Sequence, residues 1–221
     1  MTKTELRKAG KPLCMSFLIV FFVFFITSVP KAQQTSIGIS TEEAVELWEQ
    51  RHFEIEDLYI QGELEEALKL ASEASELSKK AFGETDPNTF NSSLTEAMLM
   101  SDLEMLEEAN TLYEKLLKKA QDSEQDKSEL VLLVLDAYAG FLSMIDPQMA
   151  QTVFEEAFQI SRSSLGMDDP STMLRLQALG LNHQDQGHLD QAEEFLKDST
   201  TGLEQTLGDQ DPEALAASAL L

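Results

Sequence analysis

The chain has one cysteine, one tryptophan, three tyrosines and three histidines in 221 residues. Each scarcity excludes something. The single thiol, Cys14, lies inside an N-terminal apolar run, so neither a disulfide framework nor a thiolate metal site is available downstream. With His52, His183 and His188 as the whole histidine complement, a nucleophile and base set has few components to draw on. Glycine (10) and proline (6) are sparse, which leaves long stretches free to be helical. Positive charge is scarce as well, with 16 Lys plus Arg against 40 Asp plus Glu. Five of the basic residues (Lys3, Arg7, Lys8, Lys11, Lys31) fall in the first 32 positions, where Glu5 is the only acid, so the remainder carries 11 basic and 39 acidic residues, a net charge of −28. Such a surface repels a phosphate backbone, which argues against nucleic acid as a partner and leaves solvation or a basic partner as readings.

What is present begins with that basic cluster. It is followed by an apolar run, Leu13 to Val29, broken only by Ser16, Thr27 and Ser28, and then by Ala32. A basic segment, an apolar segment and a small residue make an export signal. Two readings stay open: a signal peptide (1–32) cleaved near Ala32, which Pro30 fits poorly, or an uncleaved anchor in which residues 13–29 tether the chain to a membrane. Both place the acidic remainder outside the cytoplasm, whether periplasmic, secreted, lumenal or membrane-anchored. Residues 33–40 read as a polar tether before a helical domain over 41–221.

That domain repeats. Gly62-Glu63-Leu64-Glu65-Glu66-Ala67-Leu68 returns as Gly187-His188-Leu189-Asp190-Gln191-Ala192, and Phe82-Gly83-Glu84-Thr85-Asp86-Pro87 returns at Leu165-Gly166 to Pro170 and at Leu207-Gly208 to Pro212. Ala67, Ala109, Ala150 and Ala192 are spaced 42, 41 and 42; Gly83, Gly166 and Gly208 are spaced 83 and 42, one interval being two periods. Apolar residues at three- and four-residue steps predict helices over 41–60, 64–82, 87–102, 105–121 and 127–144, with Asp146-Pro147 opening the next, and two more on either side of Gly187. The units are about 45–86, 87–126, 127–169 and 170–211, with a partial helix over 212–221; each holds a first helix, A, and a second, B. Gly83 suits a left-handed position after its helix. Leu130 to Leu135 and Ala137 to Leu142 make the third helix A very apolar; Asp136 at its centre and its short length favour a helix buried on all sides over a membrane span. The partial helix 212–221 either caps the last unit or offers a surface for self-association.

These residues resemble tetratricopeptide repeats, whose 34-residue unit has a glycine at its turn and an alanine early in helix B. The longer period with its Leu-Gly-x-x-Asp-Pro linker is similar to the kinesin-light-chain-like subtype. The resemblance implies an all-α, right-handed α-solenoid of about four antiparallel helix pairs plus a C-terminal helix. It also implies packing roles: Gly62 and Gly187 at turns, Ala67, Ala109, Ala150 and Ala192 early in helix B, Ala74, Ala157 and Ser199 at a second small position, and Ala97 and Gly180 in helix A. Leu116 occupies the second small position of unit two, and Glu104 and Ile145 stand where the turn glycine belongs, so those units are expected to pack less regularly.

Outward-facing helix A positions, taken from the motif alignment, are His52, Glu56 and Tyr59; Leu94, Met98 and Ser101; Leu135, Ala139 and Leu142; and Gln177, Leu181 and Gln184. They would line a concave groove for a peptide or protein partner, with an apolar floor in units two and three. An error of one residue rotates a helix by about 100° and would turn the same side chains into core. His183, Asp185 and His188 flank the turn at Gly187 and read as polar turn residues rather than metal ligands; calcium-loop spacing is not found, and no cofactor or metal is expected. The pattern points to an exported, non-catalytic scaffold for protein partners. The alternative is a regulatory repeat module, or a truncated relative, of a repeat-plus-protease enzyme.

Overall fold

The computed structural model describes residues 39–123 and 127–220. The signal or anchor segment, most of the tether and part of the turn after residue 121 lie outside the described residues. Among the described residues the regular elements are helices: α1 (Thr41–Gln61), α2 (Leu64–Phe82), α3 (Pro87–Asp102), α4 (Leu106–Gln121), α5 (Lys127–Ile145), α6 (Pro147–Ser164), α7 (Pro170–Asp185), α8 (Leu189–Leu207) and α9 (Pro212–Ser218). They form two compact units, the first ending at Ala109 and the second beginning at Asn110. In the first, α1 packs on α2 and α2 on α3; in the second, packing runs from α5 to α6, α7, α8 and α9, each helix on its neighbour in the chain.

Helix starts follow from local chemistry. Ser40 opens α1 with a capping box: its hydroxyl accepts from the Glu43 N–H at 3.1 Å while the Glu43 carboxylate accepts from the Ser40 N–H at 3.4 Å. Helices α3, α7 and α9 begin on Asp-Pro. Asp86, Asp169 and Asp211 accept from the N–H groups of Asn88, Ser171 and Glu213 at 2.9, 2.8 and 2.9 Å, and the following proline has no N–H to leave unpaired. Gly83 and Gly208 precede two of these starts with φ and ψ of 99° and 168°, and 94° and 153°. That corrects the left-handed expectation for Gly83: φ is positive, but ψ is extended, a region open essentially to glycine alone.

The turns between A and B helices share one device. At Gly62 (φ 80°) and Gly187 (φ 81°) a left-handed residue turns two N–H groups back onto the helix end: Gly62 to Tyr59 O and Glu63 to Leu58 O, Gly187 to Gln184 O and His188 to His183 O, all at 2.9 to 3.0 Å. Glu104 does the same work at φ 62° without being glycine, its N–H reaching Ser101 O at 3.0 Å and that of Met105 reaching Met100 O at 2.9 Å. Ile145 instead remains helical. There the Asp146 N–H returns to Leu142 O at 2.7 Å, the Asp146 carboxylate caps Met149 N–H at 3.1 Å, and α6 starts at once on Pro147.

Small residues sit where helices meet. Ala67, Ala74, Ala109, Ala150, Ala157, Ala192 and Ser199 are all buried. A methyl group on Gly180 would lie 3.0 to 3.2 Å from Leu196 and Phe195, a tight fit that places α7 and α8 close together there. Gly202 is a second such place, where a methyl group would overlap the Met173 sulfur. Ser128–Ile145, within α5, is long and apolar enough to cross a membrane, with mean hydropathy 1.7, and half of it is buried; a buried core helix passes the same test.

Candidate protein-interaction faces

The helix A positions divide sharply. In the first unit Glu56 is exposed and His52 half-buried. The His52 ring lies 4.5 Å from that of Trp48 and its Nδ1–H donates to Trp48 O at 2.9 Å; burial lowers its pKa from the ordinary 6.5 although that bond opposes the shift. Tyr59 is buried and donates its hydroxyl to Asp102 Oδ2 at 3.0 Å, joining α1 to α3. Burial raises the Asp102 pKa and the Tyr59 bond pulls the other way. Leu94, Met98 and Ser101 are buried.

In the second unit Leu135, Ala139 and Leu142 are 0%, 0% and 2% exposed. Gln177 is buried, Leu181 half-buried and Gln184 exposed. The apolar floor expected in units two and three is therefore interior. In α5 the positions one residue later, Asp136, Gly140 and Ser143, are partly exposed, as are Leu133 and Ala137, and one residue is about 100° of helix. The two exposed A positions, Glu56 and Gln184, are polar.

Asp136 is the residue around which this face of the second unit is built. Arg175 grips it from α7 with both ends of its guanidinium, Nε to Oδ1 at 3.0 Å and Nη2 to Oδ2 at 2.6 Å, while Nη1 donates to Ser161 Oγ at 3.2 Å and Ser171 O at 3.1 Å. Burial raises the Asp136 pKa, and the Arg175 charge and bonds work against that shift. The signal for this pair was available: a lone carboxylate inside an apolar run needs a cation, and Arg175 lies 39 residues on, close to one period.

Around the Gly187 turn, the His183 ring is buried with its centroid 5.6 Å from that of His188 and 5.3 Å from that of Phe195. Its Nδ1 finds no hydrogen-bond partner among the described residues. Burial, then the nearby His188 charge, lowers its pKa, with Glu155 opposing. Asp185 is exposed at the end of α7. Among the described residues no group of three His, Cys, Asp or Glu side chains is placed to hold a metal ion.

At the C-terminal end α9 buries Ala214 and Ala217 against Met173 and Leu203, leaving Leu215 exposed. Beyond that cluster, α9 packs on α8, the helix before it.

Comparison with known proteins fits this geometry. A tetratricopeptide repeat family profile matches residues 55–122 and 141–205. Comparison with curated protein sequences gives no match. Among solved structures, BtubC (BKLC) from P. vanneervenii is similar with a TM-score of 0.62 at 17% identity over 70% of this chain, which spans 62% of that protein. A Podospora anserina kinesin light chain protein with nearly identical TPR-like repeats aligns with a TM-score of 0.61 at 20% identity, covering 76% of this chain and 80% of that one. At these identities the likeness is one of fold, the kinesin-light-chain-like form of the helical repeat. Repeats of this family generally mediate protein–protein interactions and are generally non-catalytic. With its profile matched over more than half of its length, and in both units, the chain belongs to the tetratricopeptide repeat family.

Proposed function

We propose that this protein is a non-catalytic scaffold that holds a protein or peptide partner on the helix A faces of its units, outside the cytoplasm. The observation that carries the reading is the repeat match in both units. Each unit keeps polar side chains within reach of solvent on its A helices, Glu56 and His52 in the first, Gln184 and the partly exposed Asp136–Arg175 pair in the second, where Leu181 is a half-buried apolar neighbour. Such a surface recognises a partner through hydrogen bonds and charge, with a few apolar contacts rather than a greasy floor. The basic cluster followed by Leu13 to Val29 supports export.

Cross-linking in the native compartment, followed by pull-down, tests the partner. A specific protein is expected, released by Glu56→Arg or Gln184→Arg, which change exposed side chains and leave the melt intact. Capture unaffected by both substitutions would overturn the assignment to the A face. Capture of a separately encoded protease alone would point to a regulatory subunit instead. Fusing residues 1–40 to a reporter active only outside the cytoplasm tests export, and a silent fusion overturns that half of the proposal.

A further inference from the structure

Four exposed apolar side chains of the second unit sit on two adjoining turns, apart from Leu165 and Met167 before α7 and Leu215 and Leu220 at the C-terminal end. Met144 and Ile145 end α5, Met149 lies in the first turn of α6 and Leu189 begins α8; they are 47%, 42%, 51% and 63% exposed. The two turns that carry them are tied together, since Gln186 Nε2 donates to Pro147 O at 3.2 Å and to Gln151 Oε1 at 3.4 Å, and Asn182 Nδ2 donates to Pro147 O at 3.4 Å. Single apolar residues on a surface need no explanation, but four on two adjoining turns make a patch. The packing of α6 and α8 does not require them, because those helices bury Ala150, Val153 and Ala157, and Ala192, Leu196 and Leu203.

Charge decides what could cover this edge. From Leu189 the open face of α8 continues into a shallow depression of about 360 Å³ lined by Asp190, Glu193, Glu194, Lys197 and Asp198, four carboxylates to one ammonium. Asp146 and Asp185, both exposed, add two more carboxylates at the turns themselves. An anionic lipid surface would be repelled by them. A second copy meeting this edge about a two-fold axis would set the same carboxylates against each other.

We propose that this edge docks a basic amphipathic helix of a partner protein. Its apolar side would lie over Met144, Ile145, Met149 and Leu189, two of them methionines whose flexible thioethers adapt to varied shapes, and its Lys or Arg side chains would reach the α8 carboxylates. The edge is made of helix turns, not of the A face, so it stands or falls separately from the reading above.

The test uses the full chain and a fluorescently labelled peptide of about 18 leucines and lysines arranged with helical amphipathicity, followed by anisotropy at about 0.15 M salt, where long-range attraction between exposed charges is largely screened. Saturable binding is expected, weakened at least tenfold by Met149→Ser with Leu189→Ser and, separately, by Glu193→Lys with Glu194→Lys. These side chains are exposed, so the helical melt should be unchanged, and Gln184→Arg on the A face should leave the affinity as it was. Equal affinity for the variants, or for a peptide of the same composition in scrambled order, would overturn the proposal by showing diffuse attraction only. So would a shift of oligomeric state in the Met149 and Leu189 variant without peptide binding, which would make a second copy the occupant. Binding to neutral phosphatidylcholine vesicles in place of the peptide would overturn it too.

Discussion

The interiors around α3 and α5 are filled with different chemistry at comparable places in the repeat. Around α3 in the first unit, paired hydroxyls are set among the apolar side chains: Ser75 and Ser93 pair at 2.9 Å, Ser92 accepts from Trp48 Nε1 at 2.8 Å and donates to Asn88 O at 2.9 Å, and Thr89 donates to Gly83 O at 2.7 Å. Around α5 in the second unit, Leu130, Val134, Leu135, Phe141 and Leu142 are buried, with Tyr113, Tyr138 and Phe141 stacked at 5.1 to 6.3 Å. The difference teaches that the repeat fixes where side chains meet and not what they are made of. Serine is tolerated inside because each of these hydroxyls has a partner, and an unpartnered one would cost about 1–3 kcal/mol. The two interiors should therefore fail differently when cut.

The largest effect is expected from Leu135→Ala, which removes a fully buried side chain and should cost about 2–5 kcal/mol in urea unfolding. Ser93→Ala, in the first unit, should cost less, about 1–3 kcal/mol, because no large cavity opens but the buried Ser75 hydroxyl loses its partner. Equal losses would mean that the two interiors do not differ energetically.

Next comes the backbone between repeats. Gly83→Ala puts a side chain where φ is 99° and ψ 168°, and should cost about 1–3 kcal/mol although nothing lies within 4 Å of the added methyl group. Gly62→Ala, in an ordinary left-handed turn at φ 80°, should cost about 1–2 kcal/mol. A thermal melt in which Gly62→Ala is the worse variant would remove the distinction between linker and turn.

Acid should weaken both units. His52 in the first and His183 in the second have folded-state pKa values held below the ordinary 6.5 by burial. At intermediate pH the unfolded chain binds the extra proton, so stability is full above 6.5 and falls as pH drops below it. Unfolding midpoints measured across that range in His52→Gln and His183→Gln check the sign, each variant losing part of the pH dependence. A dependence unchanged in both would exclude these imidazoles as its source; Asp102 and Asp136, whose folded-state pKa values are raised, work in the opposite direction, since the folded state takes up their protons first.

The smallest expected effect is a gain. Glu104→Gly relieves a left-handed residue that is not glycine and should add up to about 1 kcal/mol, raising the melting temperature by a few degrees.

Much of the fold was legible because its signals are local. Asp-Pro after a glycine, a capping box at Ser40 and alternating apolar steps mark helix ends and stripes within a few residues of themselves. The alanines stood out because close approach of two backbones leaves little choice of residue. Gly202 carries no local mark because what crowds it is the side chain of Met173, distant in sequence. The A faces were less legible for a similar reason. A helix apolar on nearly every side, such as α5, gives no internal mark of which face is covered, and a single residue of error moved Leu135, Ala139 and Leu142 from an imagined groove into the core. The turn at Asp146 hid this shift, since it joins two helices through one residue where Gly62 and Gly187 close theirs with a left-handed step.

From α1 to α3 in the first unit and from α5 to α9 in the second, each helix packs on the one that follows it. For the kinetics of folding, this means that almost no long loop has to close before a stabilising contact is gained. A chain of low contact order folds fast and from more than one starting point. A hairpin emerging early in synthesis can therefore fold on its own neighbours and wait for the next.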